Sequence, residues 1–242
     1  MTRPINLINA AKYYKGEVHQ DAAWRALDNV LTEAQRELFT RLYRRPQAHL
    51  KRHSSGFPEA LARGLDVEYF YQRDSLTGHG ERSCQSSAIA MAVNYISPGF
   101  IYDDDEYLET VLNFGDTVSQ LAHKSALTSI GIKNQFRMNG KESDLIDLLF
   151  CGYPVPIGVL HKGTYDRPSG GGHWITLIGV DGDNFTVHDP FGKMDIINGG
   201  YEKSGPIDGK YVKYRRDRLM SRWLISSDCD GWLWDLSMNP LR

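Results

Sequence analysis

The chain has few cysteines, no long apolar run and almost no net charge, and each shortage removes a class of answers. Three cysteines, at 84, 151 and 229 of 242 residues, are too few and too scattered for a disulfide framework or a zinc ribbon. The opening MTRPINLINAAKYY has no apolar core of signal-peptide length. Synthesis in the cytoplasm without an export signal, with free thiols, is therefore expected. The longest apolar run, Ala88 to Val93, falls far short of the roughly 20 residues that span a bilayer, so no membrane span is expected. A formal net charge of −2 argues against a general nucleic-acid binder, which is usually clearly basic. There is no internal repeat, and no glycine-rich phosphate loop stands at a strand–helix junction. Asp181-Gly182-Asp183-Asn184 lacks the glycine and distal glutamate of a calcium loop and reads as a turn. Asp103-Asp104-Asp105-Glu106 reads as a solvated helix start. His161 and His188 give no metal site with His173, because His188 alternates with Asp189 and should face the other way. No metal and no cofactor are expected, and no carboxylate pair marks a glycan-cleaving site.

What the chain does have is one organised stretch, Gly170 to Gly192 (GGGHWITLIGVDGDNFTVHDPFG). His173 to Val180 is a β-branched and apolar run of strand length, Asp181 to Asn184 is turn chemistry, and Phe185 to Asp189 is a second strand stopped by Pro190. A hairpin results, with His173 and Asp189 at its open end. If Val180 pairs with Asn184 across a three-residue loop, His173 lies opposite Phe191 and Asp189 is its diagonal neighbour on the same face. A one-residue slip would separate them, so an odd loop or a bulge is required.

In chain order, residues 1–45 read as a small helical unit, from Trp24, Leu27 and Leu31 at helical spacing and the capping pattern Thr32-Glu33-Ala34-Gln35. Residues 46–65 read as a linker, because the stretch from Arg44 to Gly56 is basic, lacks clear periodicity and ends in Ser and Gly. The rest, 66–242, reads as one α+β domain. A short strand is expected over Val67–Gln72, then a deeply buried helix from Cys84 to Ile96. Helices follow near 104–113, 118–129 and 143–150, then strand Val155–Leu160, the hairpin, and strand-like or aromatic stretches at 211–214, 223–225 and 232–236. Helices first and an antiparallel sheet second is segregation, not βαβ alternation.

Cys84 sits at a helix start, where unpaired N–H groups and the helix dipole favour an anion. A nucleophilic thiol also needs a base and donors for the oxyanion it creates. His173 is the candidate base, and Asp189 the group that fixes its tautomer through Nδ1. The Cys84 backbone N–H and the Gln72 side-chain amide are the candidate donors. Gly171 and Gly172 leave room for a substrate backbone, and Trp174 is the candidate wall of the cleft. Cys151 and Cys229 read as small core hydrophobes.

The segments YFYQRDSLTGHGERSCQSSAIAMAVNYI, GGHWITLIGV and FTVHDPFG resemble the papain-like cysteine peptidases of the bacteriocin-processing, double-glycine peptidase-like type, over roughly residues 66 to 200. The resemblance implies a papain-like fold, with Gln72 as oxyanion donor, Cys84 as nucleophile, His173 as base and Asp189 as orienter. Gln85 stands where many relatives carry glycine. The stretch NAAKYYKGEVHQDAAWRAL is similar to segments that precede catalytic domains in phage and bacterial wall-lytic proteins. The expected activity is cysteine-dependent amide hydrolysis, directed first at peptide bonds of bacterial peptidoglycan in an endolysin-like role. A general or leader-processing protease, or a non-catalytic module that keeps the fold, stands as the alternative.

Overall fold

The computed structural model describes residues 59–241. The helical unit expected over 1–45, and most of the stretch read as a linker, lie outside the described residues. The end of that stretch is not linker: Glu59–Arg63 forms a short helix, α1. It packs on the sheet because Leu61 is buried and Gly179 has no side chain to displace the Leu61 carbonyl.

After α1 the elements are α2 (Cys84–Ile96), α3 (Asp104–Leu112), α4 (Gln120–Ser129), β1 (Gln135–Gly140) and α5 (Glu142–Phe150), followed by β2 (Val155–Lys162), β3 (Ser169–Val180), β4 (Asn184–His188), β5 (Lys193–Met194), β6 (Tyr201–Lys203), β7 (Val212–Arg215), α6 (Arg216–Trp223) and β8 (Gly231–Asp235). The main sheet has the order β1-β8-β2-β3-β4-β7, every neighbouring pair antiparallel, and β5 and β6 form a separate ribbon. This is the α+β, papain-like arrangement expected, a cysteine-bearing helix laid on an antiparallel sheet.

The helix α2 is apolar on nearly every side, so it must be covered on nearly every side. Ala88, Ile89, Met91, Ala92, Val93 and Ile96 are all fully buried, in one cluster with Trp174 and Ile178 of β3. The Thr176 hydroxyl donates to the Ala88 carbonyl at 2.8 Å, tying helix to strand in the middle of the contact. The helices that flank it start at local polar signals. Asp103 accepts from Glu106 N–H at the start of α3 and Ser119 from Ala122 N–H at the start of α4, each satisfying an orphan donor of the first turn.

The hairpin forms with a different loop from the one expected. Val180 pairs with Phe185, not Asn184, and the register then shifts between Leu177 and Gly179, so that Thr176 faces His188. An even loop plus a bulge gives the same register at the open end as an odd loop without one, because each changes the count by one residue. The expected strand over Val67–Gln72 is absent. That segment makes isolated bonds to different places (Leu65 N–H to the Ile178 carbonyl, Gln72 N–H to the Pro190 carbonyl) and ends in a 3₁₀ turn, Gln72–Asp74. Its apolar side chains Val67 and Phe70 go into the core, which explains the pattern without a ladder. Residues 223–225 are also not a strand: Trp223 closes α6.

Candidate active site

Cys84 is the first residue of α2 and is half-buried. Its own N–H and its neighbours' lie in the helical turn that has no intrahelical acceptors. Ser83 before it makes no side-chain cap, so the helix start is not closed off by its own sequence.

His173 is the first buried residue of β3 after four exposed ones, Ser169 to Gly172. Its Nε2 lies 2.7 Å from Asp189 Oδ1. The nitrogen is therefore Nε2 and not the expected Nδ1; Nε2, at the far end of the ring from the backbone, is the atom that reaches the carboxylate. The Cys84 thiol hydrogen-bonds to the same ring, which leaves Nδ1 for the sulfur. Burial alone would lower the His173 pKa. The charge and hydrogen bond of Asp189, with the contact to Cys84, outweigh it and raise the pKa to about 10. The ring is thus held between a carboxylate and a sulfur, both of which favour its protonated form.

Asp189 is fully buried and fully engaged. Beside His173, Oδ1 accepts from Phe191 N–H at 3.1 Å, and Oδ2 accepts from the Tyr214 hydroxyl at 3.0 Å. Its backbone is pinned as well: N–H to the Gly209 carbonyl at 2.9 Å, and C=O from the Tyr69 hydroxyl at 2.9 Å. Gly209 allows this approach because a Cβ there would overlap the Asp189 carbonyl. Tyr214 in turn accepts from Met194 N–H at 2.7 Å, so the orienting carboxylate is braced by β7 and the β5 ribbon.

Gln72 is buried, and its Nε2 donates to the Gly80 carbonyl at 2.7 Å. One N–H of the amide is fixed by the loop before Cys84 and the second is uncommitted. Gly171 and Gly172, just before His173, are exposed, and a Cβ on either would project into open space. Trp174 does not form the wall. It is buried in the core beside α2, against Phe136 and Gly158, as alternation along a strand requires once its neighbour His173 faces the site. The wall is built instead by Tyr201, His161 and Phe191, whose rings lie 5.7, 5.8 and 6.4 Å from the His173 ring. These three, with Tyr214 and Tyr69, were not legible as site residues. Only Phe191, opposite His173 in the hairpin register, carried a signal.

The remaining candidates fall outside the site. Burial first, and Asp147 second, push the Cys151 thiol up to about 12, far from a usable nucleophile. His188 faces away as expected, donating to the Val67 carbonyl at 2.9 Å, with burial lowering its pKa to about 4. Among the described residues no group of three or more His, Cys, Asp and Glu side chains is arranged to hold a metal. Asp104 is not a solvated helix residue. It is buried, accepts from the Ser87 hydroxyl of α2, and burial raises its pKa to about 6.

Residues 64–210, more than half of the chain, match the model of the Peptidase C39 like family. Among solved structures the chain is similar to a protein described as a C39-like peptidase from Bacillus anthracis, at 14% identity and TM-score 0.48, covering 71% of this chain and 96% of that one. It is also similar to the peptidase domain of Streptococcus ComA, a bifunctional ABC transporter of a quorum sensing pathway, at 17% identity and TM-score 0.43, covering 66% of this chain and 93% of that one. No curated protein matches.

Proposed function

We propose, on the premise that the chain belongs to the peptidase C39-like family, that Cys84, His173, Asp189 and Gln72 form its hydrolytic centre. The chain is a cysteine peptidase; the roles of these residues and the substrate are our reading. The observation that carries it is the single ring of His173, held at 2.7 Å by a buried carboxylate on one nitrogen and by the Cys84 thiol at the start of a helix.

In this reading the Cys84 sulfur attacks the carbonyl carbon of the scissile amide, and the thiol proton resides on His173 Nδ1. The oxyanion that forms is met by the Cys84 backbone N–H and the uncommitted N–H of Gln72. His173 then gives its proton to the leaving amine as the C–N bond breaks, leaving a thioester on Cys84. Water, deprotonated by the now neutral His173, attacks the thioester, and the carboxylic acid departs as the thiol is restored. Asp189 holds the ring in the tautomer and plane that both transfers need.

The substrate best supported is an extended polypeptide, cut by a processing or general protease. Family membership as a peptidase and the side-chain-free floor at Gly171–Gly172 both favour it. The peptidoglycan reading rests on the likeness of the N-terminal stretch, outside the described residues, and on the expected lack of an export signal, and no feature of the cleft favours it. The two are separated by incubating the full chain with a proteome-derived peptide library and, in parallel, with purified peptidoglycan, and identifying products by mass spectrometry. Cut polypeptides with intact peptidoglycan are expected. Release of muropeptides without cleavage of any library peptide would reverse the choice.

A further inference from the structure

We propose that Arg222 is a positioning residue for the His173 imidazole: its guanidinium ties together the two loops that bring His161 and Tyr201 against that ring. The inference rests on the reading of His173 as the partner of Cys84.

Arg222 lies in the last turn of α6 and is fully buried. Its hydrogen bonds all go to backbone carbonyls. Nη1 donates to Leu160 and Lys162, both at 3.1 Å, and Nη2 to Gly163 at 2.8 Å, gathering the turn after β2. Nε donates to Ile196 at 3.0 Å, in the loop between β5 and β6. Its charge is met at longer range by Asp195. A buried cation satisfied by carbonyls alone is a costly device for stability, and lysine, with one compact ammonium, cannot reproduce a fork of donors that spans two loops. The fork is what this position uses.

The two loops are also locked to each other. Gly200 N–H donates to the His161 carbonyl at 2.7 Å, and Tyr165 N–H to the Ile197 carbonyl at 2.8 Å. Gly199, at φ +83°, lies so close to Gly163 that a Cβ would overlap its carbonyl. One loop leads out of the lock directly into Tyr201, and the other follows directly on His161 and Lys162 at the end of β2. His161 Nδ1 donates to the Gly171 carbonyl at 2.8 Å, its ring meets that of Tyr201 at 6.0 Å, and the rings of both meet His173 edge-on. The clamp therefore closes the wall that keeps water from the His173–Asp189 pair.

The groups facing His173 are Cys84 from α2, His161 from β2, Tyr201 from β6 and Asp189 after β4. Tyr214 of β7 stands behind the carboxylate, and Lys162 lies beside His161. If the wall opens, water relieves the burial that opposes the charge but also weakens the Asp189 attraction that outweighs it, so the net upward shift shrinks and the ring releases its proton at lower pH.

The test needs no substrate. The rate of Cys84 alkylation by iodoacetamide is measured against pH on the full chain, with peptide mapping to separate Cys84 from Cys151 and Cys229. The upper inflection of the wild-type profile, absent in His173→Ala, reports the imidazole. In folded Arg222→Lys it should move down by about one pH unit or more. Tyr201→Ala should move it the same way, and Arg222→Lys should add little in that background, because the two act through one wall. Gly199→Ala opens the loops without touching Arg222 and carries the test if Arg222→Lys does not fold. An unchanged inflection in folded Arg222→Lys, or in Gly199→Ala should that variant have to serve, overturns the proposal. An upper inflection that survives His173→Ala overturns the underlying site reading instead.

Discussion

At Asp189 a carboxylate is buried to the last atom and both of its oxygens are taken, one by His173 and Phe191 N–H, the other by Tyr214. Losing the charge should therefore matter more than losing the shape. Asp189→Asn is expected to lower kcat/KM by somewhere between about a hundred- and ten-thousandfold, by loosening the ring's tautomer and orientation. Tyr214→Phe removes one donor and leaves the charge, so a smaller fall is expected, with a stability loss on the order of 1–3 kcal/mol in urea titrations for the orphaned Oδ2. Gln72→Ala should cost about 100- to 1,000-fold in kcat if its free N–H meets the oxyanion, with thiol alkylation of Cys84 unaffected. His173 also sets a pH dependence of stability. Its folded pKa, about 10, lies above the ordinary 6.5. The folded state therefore holds the proton more tightly, and the stabilisation is complete below about 6.5 and is lost as pH rises towards 10. Urea midpoints should fall across that window in wild type, with the slope reduced in His173→Gln.

At the scale of elements, the contact between α2 and α3 holds a second titrating group. Asp104, the first residue of α3, is buried against Ser87 of α2, and burial raises its pKa from 3.8 to about 6. Here too the protonated form is favoured in the fold, and for a carboxyl that form is the neutral one. The contribution is present below 3.8 and lost as pH rises through about 6. Asp104→Asn is therefore expected to raise stability at pH 7.5 by on the order of 1–3 kcal/mol and to flatten the slope between pH 4 and 6. An unchanged midpoint in Asp104→Asn at pH 7.5 would place the carboxylate in water. The elements that could be read from sequence were those whose patterns are local: the apolar α2, the acidic start of α3, the turn at Asp181–Asn184. The hairpin's open end could be read because side-chain alternation and proline fix it, although the bulge that sets its register has no signature in Leu177-Ile178-Gly179. β1 could not be read, since it is an edge strand with the irregular exposure of a surface segment. Trp174 was misplaced, although alternation from His173 was enough to send it inward.

At the scale of the whole described body, the site is assembled from distant parts of the chain: Gln72 and Cys84 ahead of the sheet, His173 and Asp189 on the hairpin, Tyr201, Tyr214 and Arg222 beyond it. The first four are marked by chemistry that short motifs reveal. The others act through contacts made only after folding, and no local spacing announces them. Among the described residues no helix is long and apolar enough to cross a membrane. Cys84→Ala should abolish peptide cleavage and leave the unfolding midpoint within about 0.5–1 kcal/mol of wild type, because the half-buried sulfur is a small part of the packing. The central claim is that one imidazole is kept protonated between Asp189 and Cys84. It is tested most directly by NMR of histidine-labelled protein, with the ring signals of His173 assigned through His173→Gln and followed against pH. The account predicts a ring that stays doubly protonated through pH 8 and titrates near 10. A ring that titrates near the ordinary 6.5 would contradict it.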